Sequence, residues 1–217
     1  MTKAFAAILG ALTDVIFGRL TLLALINLVL AGVIAGSAVV GAVRYIAPLI
    51  PEGEGWIGFF LDTAQFLVGA GSIVLAIALS PAASMFVGGL LFDFAAERVE
   101  KAIGAPPARA GSILTGIANG VRIALPALFL NLLVVPLYLI PGVNAVVFYT
   151  LNGYLMGREY AMLAGTRQMP WRDALKLRRG ARFAVFLTGL ACSIVPFVAP
   201  LIAASAMTRL IHALRTR

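Results

Sequence analysis

The sequence is poor in the residues that carry most enzyme and metal chemistry. It has one cysteine, Cys192, and one histidine, His212, in 217 residues. A lone cysteine excludes an intrachain disulfide. Cys192 sits in an apolar run, where a small core or lipid-facing residue is expected. No Ser-His-Asp arrangement can be assembled around His212, which lies beside Arg209, Arg215 and Arg217. No His, Cys and carboxylate cluster has metal-ligand spacing, and no glycine-rich phosphate loop precedes a helix. The expectation is a protein that is not an enzyme and has no metal and no cofactor.

Charge is equally scarce. Asp, Glu, Lys and Arg make up 12% of the chain, against 61% hydrophobic residues and a mean hydropathy of +1.00. A soluble domain carries about 25% charged residues. Apolar runs near or above the roughly 20 residues that span a bilayer then point to an integral membrane protein. The formal charge is +8, and the basic residues lie outside the apolar runs. An anionic partner is one reading of that balance; cytoplasmic loops held by the positive-inside rule are the other. Basic and aromatic residues do not interleave as in a single-strand binder, so no nucleic acid is expected. The N-terminus is not read as a cleaved signal, because Asp14 and Arg19 follow the first apolar stretch without a small-residue cleavage site.

Residues 1–17 form an amphipathic pattern suited to an interfacial helix, with Phe5, Ile8, Leu9, Leu12, Val15 and Ile16 on one face. The run from Leu20 to Val43 is 24 residues without a charge, long enough to span. It contains Asn27 and the small-residue packing pattern Gly32 to Gly36. The acidic turn of Glu52 and Glu54 permits a non-cytoplasmic side. Thr63 to Leu91 is a second uncharged run, of 29 residues, in which Pro81 predicts a kink. Its charged extension, Asp93 to Lys101, ends at Gly104-Ala105-Pro106-Pro107. These two runs predict long transmembrane helices over 20–47 and 56–103.

Two later runs are broken by proline. Between Arg122 and Arg158 lie 35 uncharged residues interrupted at Pro136 to Asn144, which leaves a return arm, Ala145 to Gly157, of 13 residues. Such an arm is about 20 Å long, short of the roughly 30 Å hydrocarbon core. Phe183 to Thr208 breaks at Pro196 and Pro200. Basic clusters near 98–109, 158–182 and 209–217 stay on one side only if both broken runs go in and come back. The predicted architecture is all-α. It has two long transmembrane helices, re-entrant hairpins over 113–165 and 183–215, and interfacial amphipathic helices at 1–17 and 170–182. The whole is one membrane domain with both termini cytoplasmic. A single kinked crossing over Phe183 to Thr208 is the alternative. Backbone turned at membrane depth needs cover from protein or a wet cavity, so the hairpins also predict an assembly, a pathway, or both.

Three stretches carry a resemblance. Phe17-Gly18-Arg19-Leu20 is followed by Leu25-Ile26-Asn27-Leu28. Phe92-Asp93 leads into Glu97-Arg98-Val99-Glu100. Asn152-Gly153-Tyr154-Leu155-Met156-Gly157-Arg158-Glu159-Tyr160 is the most specific piece. With the terminal hairpin and His212, they make the chain resemble the CysZ-type sulfate permease family and the related etoposide-induced membrane protein family, in order over about residues 5–215. The resemblance implies sulfate uptake across a bacterial inner membrane for cysteine synthesis, without ATP hydrolysis. It also implies a homo-oligomer in the lipid bilayer, a hexamer among the forms allowed. It places an anion site, for sulfate or a related oxyanion, at Gly18 and Arg19. Leu20 stands where that family's loop often carries a second arginine.

Helix physics favours an anion at the start of a helix opened by Arg19. An arginine anchoring the helix at the membrane surface is the other reading of the same residue. Glu97, Glu100, Arg122, Arg158 and Glu159 are candidates for ion pairs or a pore mouth, with pairing between Arg158–Glu159 and the Glu97–Glu100 helix as one arrangement and surface pairs as the other. Asn27, Asn119, Asn131, Asn144 and Asn152 are pathway candidates or interhelical hydrogen-bonders. A structural or assembly protein with no conducted substrate is the competing function.

Overall fold

The computed structural model of the chain is all-helical across the residues it describes, 1–51, 54–109, 113–138, 140, 142–195 and 197–216. The side chains at 47, 67, 69–70, 73–83, 85, 113, 116–117, 124, 128, 131–132, 135–136, 138 and 144 lie outside that description. Asn131 and Asn144 are therefore not placed, nor is Pro196 of the terminal break.

Helices α1 (Thr2–Ile16) and α2 (Thr21–Gly41) come first, and α2 runs out through a π-helical turn at Ala42–Ile46 and a 3-10 turn at Ala47–Leu49. Pro48 and Pro51, each lacking a backbone donor, follow where the regular ladder fails. Helix α3 (Gly55–Ala102) has 48 residues and continues through Pro81. It ends at Gly104, whose φ of +65 lets the Ala105 N–H reach back to the Glu100 carbonyl at 2.9 Å. That left-handed glycine stop is the one Gly104 predicts.

Helices α4 (Ile113–Tyr138) and α5 (Val143–Gln168) pack on each other. The break falls inside the expected Pro136 to Asn144 stretch, with α4 carrying on for two residues past Pro136 before it ends. The turn that follows uses Gly142 at φ +82, a conformation that costs glycine little. Then come the short α6 (Trp171–Gly180), α7 (Arg182–Cys192) and α8 (Ala199–Arg215), with Pro200 in the first turn of α8, where its missing N–H costs nothing.

The core is built around α8. Every residue from Ala199 to Thr208 is buried, as are Leu210 and Ile211. Helices α1, α3, α5 and α7 all pack against it. The uncharged first ten residues of α8 suit such a place, and Ala199, Ala203, Ala204 and Ala206 let neighbouring backbones come close. Against it α1 turns its small residues, Ala4, Ala7 and Ala11, and leaves Phe5, Leu9 and Ile16 exposed. Of the bulky stripe read from the sequence, Phe5, Leu9 and Ile16 thus face outward, while Val15 is buried and Leu12 packs against the core.

Helix α2 packs along α3 through Leu20, Leu23, Ala24, Asn27 and Ala31, at the three- and four-residue spacing of one helical face. Gly32 and Gly36 fall off that face, and no other element among the described residues comes within 4 Å of where a Cβ would stand on either. The close crossing is elsewhere. On α5 and α7, a Cβ on Gly157 would stand 2.6 Å from the Val185 carbonyl oxygen, and one on Gly153 would stand 2.8 Å from Cα of Leu190. Gly153 and Gly157 are four apart, the spacing that lets two helix backbones touch.

With its π-helical turn, α2 forms a 26-residue segment, Thr21–Ile46, of mean hydropathy 2.4. Among the described residues it is the helix long and apolar enough to cross a membrane by length and composition. Leu25, Val29, Val33 and Val40 project outward along it. An apolar face of that extent suits hydrocarbon rather than water.

Candidate functional site

Gly18 and Arg19 lie in the tight link between α1 and α2. The link is closed from inside: Leu20 N–H donates to the Asp14 carbonyl at 2.9 Å, and Thr21 Oγ1 donates to the Gly18 carbonyl at 2.9 Å. A Cβ on Gly18 would stand 3.0 Å from the Thr13 carbonyl oxygen, so the loop has little room for a side chain there. Arg19 Nη1 donates to Asp14 Oδ1 at 3.1 Å, while half of its side chain stays exposed. Its carbonyl accepts from Arg98 Nη1 at 3.0 Å.

Asp14 is the centre of this arrangement. Its carboxylate is buried, and Oδ2 accepts from Ser205 Oγ at 2.7 Å and from Arg209 Nε and Nη2 at 3.0 and 2.7 Å. A buried carboxylate persists only with such partners. Two guanidiniums share one carboxylate, which leaves a net positive charge beside the start of α2, where a helix already favours anions.

A second charged cluster joins α3 to α5. Arg167 meets Glu100 through two parallel bonds, Nε to Oε1 at 3.0 Å and Nη2 to Oε2 at 2.9 Å, and also pairs with Asp93. Burial works to lower the Arg167 pKa, but the bonds and charges of Glu100 and Asp93 outweigh it and hold the value above the ordinary range. Gln168 ties Glu100 to the Pro106 carbonyl and accepts from Arg215 Nη1 at 3.0 Å. Glu97 stands aside on the exposed surface, paired with Lys101 at 2.6 Å.

Of the two arrangements open for Arg158–Glu159, pairing with the Glu97–Glu100 helix is not formed among the described residues. Arg167 takes the place beside Glu100. Arg158 lies nine residues earlier on α5, about 13 Å along a helix. There its Nη1 and Nη2 donate to the carbonyls of Ile123 and Arg122 at 3.1 and 3.4 Å. Arg122 itself lies over the Trp171 ring, 5.6 Å from the centroid. Glu159 is half-buried and makes no ion pair among the described residues. Asn152, also half-buried on α5, makes no side-chain hydrogen bond among them.

Asn27 does have a site. Its Nδ2 donates to Ser84 Oγ at 2.7 Å and to the Phe197 carbonyl at 2.9 Å, and Ser84 Oγ donates to the same carbonyl at 2.6 Å. Phe197 belongs to the turn between α7 and α8. Two long helices therefore supply the donors that the broken backbone needs, which is how a turn survives among apolar residues. Asn27 Oδ1 is left buried without a partner among the described residues.

Asp14, Ser84, Arg167, Ser205 and Arg209 were not singled out from the sequence. Asp14 offered one signal, an acid in the middle of an otherwise apolar amphipathic helix. Among the described residues no three His, Cys, Asp or Glu side chains come together as metal ligands would.

The family model described as "Sulfate transporter CysZ/Etoposide-induced protein 2.4" matches residues 7–204, from α1 into α8. The chain belongs to this family. It is, with the rest of the CysZ/etoposide-induced protein family, a membrane protein of transporter type. No curated protein and no solved structure matched the chain. The family match takes in the Asp14–Arg19 loop, the Asn27–Ser84–Phe197 cluster and the α5–α7 crossing, and stops just short of Arg209.

Proposed function

We propose that this chain is a passive permease or channel for sulfate or a related oxyanion in a bacterial inner membrane, supplying sulfate for cysteine synthesis. The observation that carries the reading is the sulfate transporter family match across nearly the whole fold. The loop of Gly18 and Arg19 is the anion site in this proposal. Arg19 has one nitrogen held by Asp14 and half its side chain open. The carboxylate orients the guanidinium, and the excess positive charge of the cluster draws the anion.

In the proposed topology α2 and α3 cross the membrane, while α4–α5 and α7–α8 enter and return. Helix α7 has 11 residues, about 16 Å of helix and too short to cross. Lys3 Nζ donates to the Ala213 carbonyl, which favours both termini on one side, and the basic clusters make that side the cytoplasmic one. Leu114, Val121, Leu125 and Phe129 stand exposed along α4. Lipid and further copies of the chain cover that face in a homo-oligomer.

Sulfate flux into proteoliposomes tests the function. Wild-type protein should conduct, and Arg19→Ala should lose most of the flux while keeping its fold. No flux of sulfate, sulfite or a related anion through folded wild-type protein would overturn the reading.

A further inference from the structure

A cavity of about 420 Å³ opens between α5, the end of α6 and the start of α7. Four guanidiniums line it, from Arg158, Arg178, Arg179 and Arg182, and no carboxylate does. The local chain explains the convergence. Helix α6 stops at Gly180, Ala181 turns the backbone at φ −111, and α7 starts at once. Arginines on either side of that corner therefore face the same part of α5. The tight Gly153–Gly157 crossing brings α5 up to them.

Among the described residues no ion pair neutralises this cluster. Arg158 is held by two backbone carbonyls, which fix its direction and leave its charge. Arg178, Arg179 and Arg182 make no ion pair among the described residues. Nε of Arg178 is buried and has no hydrogen-bond partner among the described residues. Burial first, and then the charge of Arg158, push the Arg178 guanidinium below its ordinary value. Four like charges gathered around a cavity, one with an unmet buried donor, are costly unless an anion joins them. Arginine forks match the oxygens of a tetrahedral oxyanion.

The rest of the lining points to where that oxyanion comes from. Val185 and Phe186 make the α7 side of the cavity apolar, and Phe183 next to them is exposed. The cavity thus sits where the basic α6 gives way to the apolar α7. Basic pockets between helices at a membrane surface hold lipid head groups.

We propose that the α5–α6–α7 cavity binds a phosphate-type oxyanion, from an acidic phospholipid head group or from free phosphate. The apolar wall favours the lipid. This site is separate from the Gly18–Arg19 loop and does not depend on sulfate being transported.

The test is binding to the full chain in detergent, with two probes. One is phosphatidylglycerol in mixed micelles, with phosphatidylcholine as the control. The other is sodium phosphate. Saturable binding of phosphatidylglycerol alone supports the site and assigns it to lipid. Saturable binding of phosphate that competes with the lipid supports it as a general oxyanion site. In either case R178Q/R182Q should weaken the binding about tenfold or more, and R179Q, an exposed side chain whose loss leaves the packing alone, should weaken it measurably. Arg19→Ala should change neither. The proposal is overturned if wild type binds neither probe, if phosphatidylcholine binds as well as phosphatidylglycerol, or if R179Q binds like wild type. It is overturned equally if Arg19→Ala abolishes the binding.

Discussion

Arg209 Nη2 lies 2.7 Å from Oδ2 of Asp14, a residue 195 positions earlier in the chain. The pair fastens α1 to α8. Ser205, one turn before Arg209, adds a hydroxyl to the same oxygen. Gly10 makes room for it, since a Cβ there would stand 3.0 Å from the Arg209 guanidinium carbon.

Asp14→Asn and Arg209→Ala should each destabilise the protein by about 3 kcal/mol, the usual cost of leaving one half of a buried pair without the other. Arg19→Ala should cost about 1 kcal/mol or less, because its side chain is half exposed and solvent screens the pair. Thermal unfolding in detergent ranks the three. An Arg19→Ala loss as large as that of Arg209→Ala would make the loop arginine a structural partner and count against its role in binding an anion.

Gly157→Ala should destabilise by about 1–3 kcal/mol, since the new methyl meets a backbone carbonyl that cannot step aside. Gly120→Ala is the control: a Cβ there meets nothing within 4 Å, so the usual helical gain of alanine over glycine should appear instead. Equal melting temperatures for the two variants would dispose of the close crossing.

The two glycines of this crossing show what a sequence hides. Asn152 to Tyr160 reads as the most polar stretch within an apolar run, and attention goes to its charged end. In the fold its glycines carry the helix contact. Its arginine faces a cavity with partners from α6 and α7. The apolar runs themselves were legible, because hydropathy is a local property, and so were the left-handed stop at Gly104 and the all-helical class. Arg167 beside Glu100 and Asp14 beside Arg209 were not. Each depends on which helices become neighbours, and spacing along one helix does not encode that. The family resemblance, carried by motifs spread along the chain, was legible because their order survives where pairings do not show.

Asn27→Ala should destabilise the α7–α8 turn by about 1–3 kcal/mol, by taking from the Phe197 carbonyl one of its donors and leaving the buried Ser84 hydroxyl without its amide partner. Asn27→Asp should be worse, although it is closer in shape, because a carboxylate would face that carbonyl oxygen with no proton to offer. Limited proteolysis between residues 193 and 198, together with thermal unfolding, distinguishes the two. Asp tolerated better than Ala would mean that the amide orientation is reversed.

Arg167→Lys should behave almost like Arg167→Ala. An ammonium cannot reproduce the parallel bonds to both oxygens of Glu100. The readout is the melting temperature. Full retention of stability by the lysine variant would show that only the charge matters at this joint.

A cysteine in place of Val143, an exposed residue at the start of α5, tests the membrane arrangement. The one native thiol, Cys192, is buried and should stay silent to reagent. In intact cells Val143→Cys should resist impermeant thiol reagents applied from outside. Rapid labelling would mean that α4 crosses the membrane, and the paired-hairpin topology would have to be abandoned.

The central position of α8 has a consequence for biogenesis. Every helix that packs on α8 is made before it, so the core has no centre until it arrives. Until then Asp14 has only Arg19 to answer its charge, and the Ala4, Ala7 and Ala11 face of α1 lacks the helix it packs on. Assembly is therefore late and cooperative rather than progressive along the nascent chain. A stop codon just before Ala199 should send an otherwise complete protein to membrane quality control, and supplying α8 as a separate peptide is the natural attempt at rescue.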